Sequence, residues 1–253
     1  MAPKNPKVCN WAKTKEYKLT LENLVDQGFL SAQKVIKWWA PEEESSPQPR
    51  LGEVVVFTDH LRRGLRPPGS KFFRDLLHFF KLRPQDIGPN SMTNICQFQV
   101  LCEVYLQIEP SVNLFREFFY LNRQMETKNG ASCELGGVSI QKRKKSAFPE
   151  SKLASHPKGW NKTWFYCRDT SPKGENPLSG FRLERLSGKE EFPGWPTDEE
   201  RAPLEPLHAK LRALTAHGLT GIDLIRCWLK WRIQPVRLRD GLMCDYSGAS
   251  NDP

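Results

Sequence analysis

Apolar positions along the chain recur mainly at helical spacing, in blocks parted by proline- and glycine-rich stretches. Thr20 predicts an N-cap for LENLVDQ, with Gly28 as its stop, and Ser31 a cap for a second short helix, AQKVIKWW. PEEESSPQPR, from Pro41 to Arg50, has linker composition. Glu53 to Phe57 (EVVVF) is a β-branched run, either a strand or an extended entry to a helix, and HLRRGL predicts a helical turn stopped by RPPG. Ser70 opens the clearest helix, KFFRDLLHFFKL, whose Phe72, Phe73, Leu76, Leu77, Phe79 and Phe80 form a broad apolar face. A helix starting at Asn90 or Ser91, MTNICQFQVLCEVYLQI, is apolar almost all round, the pattern of a central buried helix. Ser111 caps a third, VNLFREFFYLNRQ. Short Pro-containing turns between them predict a compact α unit.

The texture changes after Gly130. CELGGVSIQ reads as a turn at Gly136 and Gly137 leading into a strand, and TWFYCRD (Thr163 to Asp169) as a second strand, together a short hairpin-like β pair. Helical spacing returns with Leu207, Leu211 and Leu214, and Thr220 caps GIDLIRCWLKWRI, whose Ile222, Ile225, Trp228 and Leu229 are expected inward. The fold class predicted is mainly α with a small β element (α+β). The chain divides into a basic tail (1–19), short helices and an acidic Pro-rich linker (20–50), a helical block (51–125), a basic β/loop region (131–170), a Pro/Gly-rich loop (171–203) and C-terminal helices with a tail (204–248).

Composition narrows the class. The 253 residues are 38% hydrophobic and 26% charged, with eight Trp and fourteen Phe, enough for a sizeable core. No stretch reaches the ~18–20 apolar residues of a membrane helix, and MAPKNPKVCNWAKTKEYK has no apolar h-region. An intracellular chain without a membrane partner is expected. Seven cysteines, an odd number without a C-x-x-C pair, argue against a disulfide framework or a zinc site. Cys96, Cys102 and Cys227 sit in apolar stretches, as small buried hydrophobes do.

Familiar chemistry is missing. There is no G-x-x-x-x-G-K-[ST], no G-x-G-x-x-G after a strand, no G-x-S-x-G and no H-E-x-x-H. The five His share no helical i, i+3 or i, i+4 spacing with one another or with Cys. Asp59, Asp75, Asp86, Glu103 and Asp223 could form a two-metal site by converging in space, but no spacing sets them apart from solvated helix faces and caps. No catalytic residue, metal, cofactor or small-molecule ligand is predicted.

The formal net charge of +9 favours anionic partners. It is most concentrated in Lys142, Arg143, Lys144 and Lys145, followed by Lys152, Lys158, Lys162 and Arg168, with Trp160, Trp164, Phe165 and Tyr166 interleaved. Lysines and arginines neutralise phosphates, and aromatic faces stack on bases. Lys142, Arg143, Lys144, Lys145, Lys158, Lys162, Trp160 and Trp164 are therefore the candidate nucleic-acid contacts. The alternatives are a nuclear-import signal in KRKK, which places the nucleus ahead of the cytoplasm, and a solvated loop beside ordinary core aromatics.

Three segments carry a resemblance: LVDQGFLSAQKVIKWWAPEEE; the block from GEVVVFTDHLRRGLRPPGSKFFRDLL through LCEVYLQIEP and LFREFFYLNR; and GLTGIDLIRCWLKWRIQPVRLRDGLMCDYSG. Together they resemble the gypsy-type transposon, or "transposase", domain of plant retroelement proteins, over residues ~20 to 250. The resemblance implies a retrotransposon origin and brings no catalytic residues with it. Cys244 stands where family members usually carry Trp. The function expected is a retroelement-derived, non-catalytic protein that associates with itself, with nucleic acid, or both. A host-co-opted protein-interaction module and a divergent metal-dependent nuclease or strand-transferase are the alternatives.

Overall fold

The computed structural model describes residues 13–41, 44, 47–128, 131–149, 151, 158–179 and 192–233. The first part of the basic tail, Lys152, His156, most of the 171–203 loop's middle and the tail after Ile233, with Cys244, lie outside the described residues. The α+β expectation holds. Helices α1 (Lys18–Asp26), α2 (Thr58–Arg62), α3 (Lys71–Phe80), α4 (Pro89–Val100), α5 (Val112–Phe118), α6 (Asp198–Arg201), α7 (Glu205–Ala216) and α8 (Gly221–Trp228) surround two small antiparallel sheets. One sheet has strand order β1 (Trp38–Trp39), β5 (Trp164–Arg168), β2 (Glu53–Phe57); the other is the hairpin β3 (Phe119–Lys128) and β4 (Ala131–Lys142).

The helical block forms for the reasons its pattern gives. The Ser70 hydroxyl caps α3 by accepting the Phe73 amide at 3.1 Å, and Phe72, Phe73, Leu76, Leu77 and Phe80 are buried. Phe79 is instead about one-third exposed. Helix α4 is buried on most sides and runs on through a wider π-type turn, Leu101–Leu106. Its Phe98 ring meets Phe72 and Phe115, both at 5.1 Å, so three helices share one aromatic contact.

Several expected elements differ. AQKVIKWW is not a helix: after a turn at 33–35 it alternates, Ile36 and Trp38 buried and Lys37 exposed, and Trp38 and Trp39 pair with Cys167 and Tyr166. The Ser31 carbonyl accepts the Trp38 indole N–H at 2.9 Å instead of starting a helix. Helix α1 begins before Thr20, which lies at its third position and accepts the Tyr17 amide there. Helix α5 stops at Phe118, because Phe119 is extended and stacks back on Phe115, and the following residues alternate as a strand. That strand, β3, is the partner of β4. Gly136 and Gly137 therefore lie inside β4, opposite a register shift between Arg123 and Met125, and are not the hairpin turn. TWFYCRD does not pair with it and joins β2 and β1. On α8 the buried stripe is Leu224, Cys227 and Trp228, whereas Ile222 and Leu229 are exposed.

Period-2 alternation gives the three-stranded sheet two buried faces. Val54, Val56, Phe165 and Cys167 join the main core. Val55, Phe57, Trp164 and Tyr166 form a second, aromatic core with Trp39 and Trp160 packed on it. Burial alone pushes the Cys167 thiol well up, and burial together with the nearby Glu103 charge does the same to the Cys102 thiol.

Candidate nucleic-acid interface

The eight candidate residues divide between the two sheets. Lys142 ends β4, and its ammonium donates to the Phe148 carbonyl at 3.3 Å. Arg143 is built into the fold: its Nε–H donates to the Arg116 and Phe119 carbonyls at 2.9 and 3.1 Å, and its guanidinium lies 4.0 Å from the Trp195 ring centre. Its pKa is lowered, chiefly by burial. Lys144 and Lys145 stand exposed on a turn. The basic run is thus two structural residues followed by two solvated ones.

Trp164 is fully buried between Thr14 and Tyr166 and has no face open to a base. The alternation W-F-Y-C against V-V-V-F was the sequence signal for this, since both strands place every second residue in the aromatic core. Trp160 sits half-buried at the edge of that core, 4.9 Å from the Phe57 ring in an edge-on arrangement. Lys158 and Lys162 flank it and are exposed.

Residues far away in sequence complete this second group. The Lys15 amide donates to the Lys162 carbonyl at 2.7 Å, and the Thr14 hydroxyl donates to the Trp164 carbonyl at 2.7 Å. These bonds lay the end of the N-terminal basic stretch along the basic turn. Lys13, Lys15, Lys158, Lys162 and, from α2, Arg62 are exposed and make no ion pair among the described residues. The acid among them, Glu16, is engaged by two hydroxyls: its carboxylate accepts Thr20 at 2.6 Å and Thr58 at 3.3 Å. A cleft of about 370 Å³ opens here, bordered by Lys15, Glu16, Thr20, Thr58, Arg62 and Thr163 among others. Sequence reasoning passed over Lys13, Lys15 and Arg62 as site residues, because nothing in their spacing ties them to residue 162.

Of the five scattered carboxylates three serve in separate places, whereas Asp75 and Glu103 share a pocket. Asp59 pairs with Arg63 at 3.5 Å, Asp86 with Arg83 at 2.7 Å, and Asp223 accepts the Thr220 amide at the start of α8. Asp75 bonds Lys71 and Asn176, and it lines one pocket with Glu103, Glu109 and Glu175. Among the described residues no group of three or more His, Cys, Asp or Glu side chains is placed to hold a metal ion. No described helix is long and apolar enough to cross a membrane.

Residues 54–123 match the model of a family described as a gypsy type transposon, so this part of the chain is similar to a gypsy-type transposon domain. The matched stretch runs from β2 through α5 into the first half of β3. No curated protein and no solved structure matches the chain. Of the basic surface just described, Arg62 lies inside the matched stretch and the four lysines lie outside it.

Proposed function

We propose that the chain is a non-catalytic nucleic-acid-binding protein derived from a gypsy-type retrotransposon, which grips the phosphodiester backbone with Lys13, Lys15, Arg62, Lys158 and Lys162. The observation that carries this reading is the seam between residues 14–15 and 162–164, beside which five exposed cations make no ion pair among the described residues while the Glu16 carboxylate accepts the Thr20 and Thr58 hydroxyls. Like charges held together on a surface repel, and a polyanion relieves that cost. The missing catalytic motifs support the non-catalytic part.

The test is a titration with RNA and DNA over a range of salt. Each phosphate neutralised adds about 0.7 to the log–log salt slope for a single strand, so replacing the four lysines with Gln should lower the slope by about 3. Absence of binding at about 50 mM salt, for wild type and variant alike, ends the proposal.

Self-association is a second reading, and it rests on α8. Ile222 is 57% exposed there and Leu229, just past its end, 40%, with Val104 46% exposed on the π-type turn Leu101–Leu106. Sedimentation of wild type and Ile222→Glu tests it, and a monomer at every concentration would refute it.

A further inference from the structure

Within the basic surface one turn combines features that a charge patch alone does not need. Gly159 is left-handed, with φ of 77°, and nothing lies within 4 Å of the position a Cβ would take there. The turn is closed by the Lys162 amide on the Gly159 carbonyl at 2.9 Å and the Thr163 hydroxyl on the Trp160 carbonyl at 2.8 Å. Trp160 is therefore held by its backbone and by its contact with Phe57, yet it is not enclosed. Trp164 and Tyr166, in the same aromatic core, are 0% and 2% exposed, whereas Trp160 is intermediate. A partly exposed tryptophan between two lysines that make no ion pair among the described residues is a site for a flat group that carries anions on both sides.

We propose that the Lys158–Lys162 turn is a single-strand reader: Trp160 stacks on one unpaired base, and Lys158 and Lys162 hold the flanking phosphates. This rests on the reading that the surface binds nucleic acid, and it adds the class of nucleic acid. In a duplex the base faces are covered by their neighbours, so an indole anchored in a wall cannot reach them. An unpaired base can turn its face outward. The strand then runs past Thr163 to the cleft, whose rim carries Lys15 and Arg62.

The experiment is fluorescence-anisotropy titration of the full chain with U-rich RNA and T-rich DNA of about 15 nucleotides, and with a duplex of the same phosphate count. Wild type should bind either single strand roughly tenfold tighter than the duplex. Trp160→Leu keeps the apolar contact with Phe57 but removes the stacking face. It should lower single-strand affinity roughly tenfold and leave duplex affinity within about twofold, and Trp160→Phe should recover most of the loss. Equal wild-type affinity for single strand and duplex overturns the proposal, and needs no variant to do so. Equal loss on both by Trp160→Leu overturns it as well. If binding persists with its lysine-dependent salt slope in either case, the general nucleic-acid reading stands. If wild type binds neither, both fail.

Discussion

The Thr14 hydroxyl donates to the Trp164 carbonyl at 2.7 Å and accepts the Trp164 amide at 3.2 Å. One side chain thus brackets the first residue of β5 and fixes the approach of Lys13 and Lys15 to the basic turn.

Thr14→Val keeps the shape and removes both bonds. It should cost about 1–2 kcal/mol in urea denaturation, since a part-buried backbone group loses its partner. Nucleic-acid affinity should fall with it, because Lys13 and Lys15 are no longer held. Lower stability with unchanged affinity would show that the bracket does not position them.

The basic run should divide in two under mutation. Arg143→Ala removes charged hydrogen bonds to two carbonyls and a stack on Trp195, and should cost about 2–3 kcal/mol. Lys144→Gln with Lys145→Gln, both exposed, should stay within about 0.5 kcal/mol of wild type. Calorimetric melting of the two variants makes the comparison, and equal effects would contradict the arrangement.

Asp86 is fully buried and accepts three bonds from Arg83: the backbone amide at 2.9 Å, Nε–H at 3.0 Å and the guanidinium NH2 at 2.7 Å. Asp86→Ala takes the carboxylate away from a buried guanidinium and should cost about 3–5 kcal/mol. A loss under 1 kcal/mol in denaturant titration would mean that Arg83 finds water instead.

His60 gives the fold a pH dependence. Its Nε2–H donates to the Ile87 carbonyl at 2.8 Å, while Nδ1 is buried with no partner among the described residues. Burial, helped by nearby Arg63, outweighs the Ile87 hydrogen bond and lowers its pKa from 6.5 to about 4. The unfolded chain takes up a proton below pH 6.5 that the folded chain refuses until about pH 4. Stability from this group is therefore full above pH 6.5 and falls by roughly 3 kcal/mol as pH drops to about 4. His60→Gln retains an N–H for Ile87 and should lack this component. Parallel stability curves for the two proteins across that interval would refute it.

Where one periodicity governs a long stretch, the element could be read directly. Ser70 before KFFRDLLHFFKL and Thr220 before GIDLIRCW cap their helices as the patterns predict, and α4 is buried on most sides as expected, although it starts at Pro89 behind Gly88 and not at Asn90 or Ser91; capping and burial there depend on neighbours within a few residues. The failures came where a distant partner decided. VIKWW and FYLNRQ carry enough apolar residues for a helix, and became strands because β5 and β4 offered backbone partners. The phase of α8 likewise follows α4, which selects Leu224, Cys227 and Trp228 for burial in place of Ile222.

The same division applies to the site. By itself the sequence determined an excess of positive charge, its concentration at residues 141–168 and near the start of the chain, and the resemblance borne out at residues 54–123. Only the tertiary structure decided how that charge is used. It spent Arg143 on packing, closed Trp164 inside a sheet, left Trp160 half open, and set Lys15 beside Lys162. The physical reason is that charge belongs to each residue wherever it lies, whereas exposure and proximity depend on which strands pair, and β-pairing joins segments that no local spacing connects.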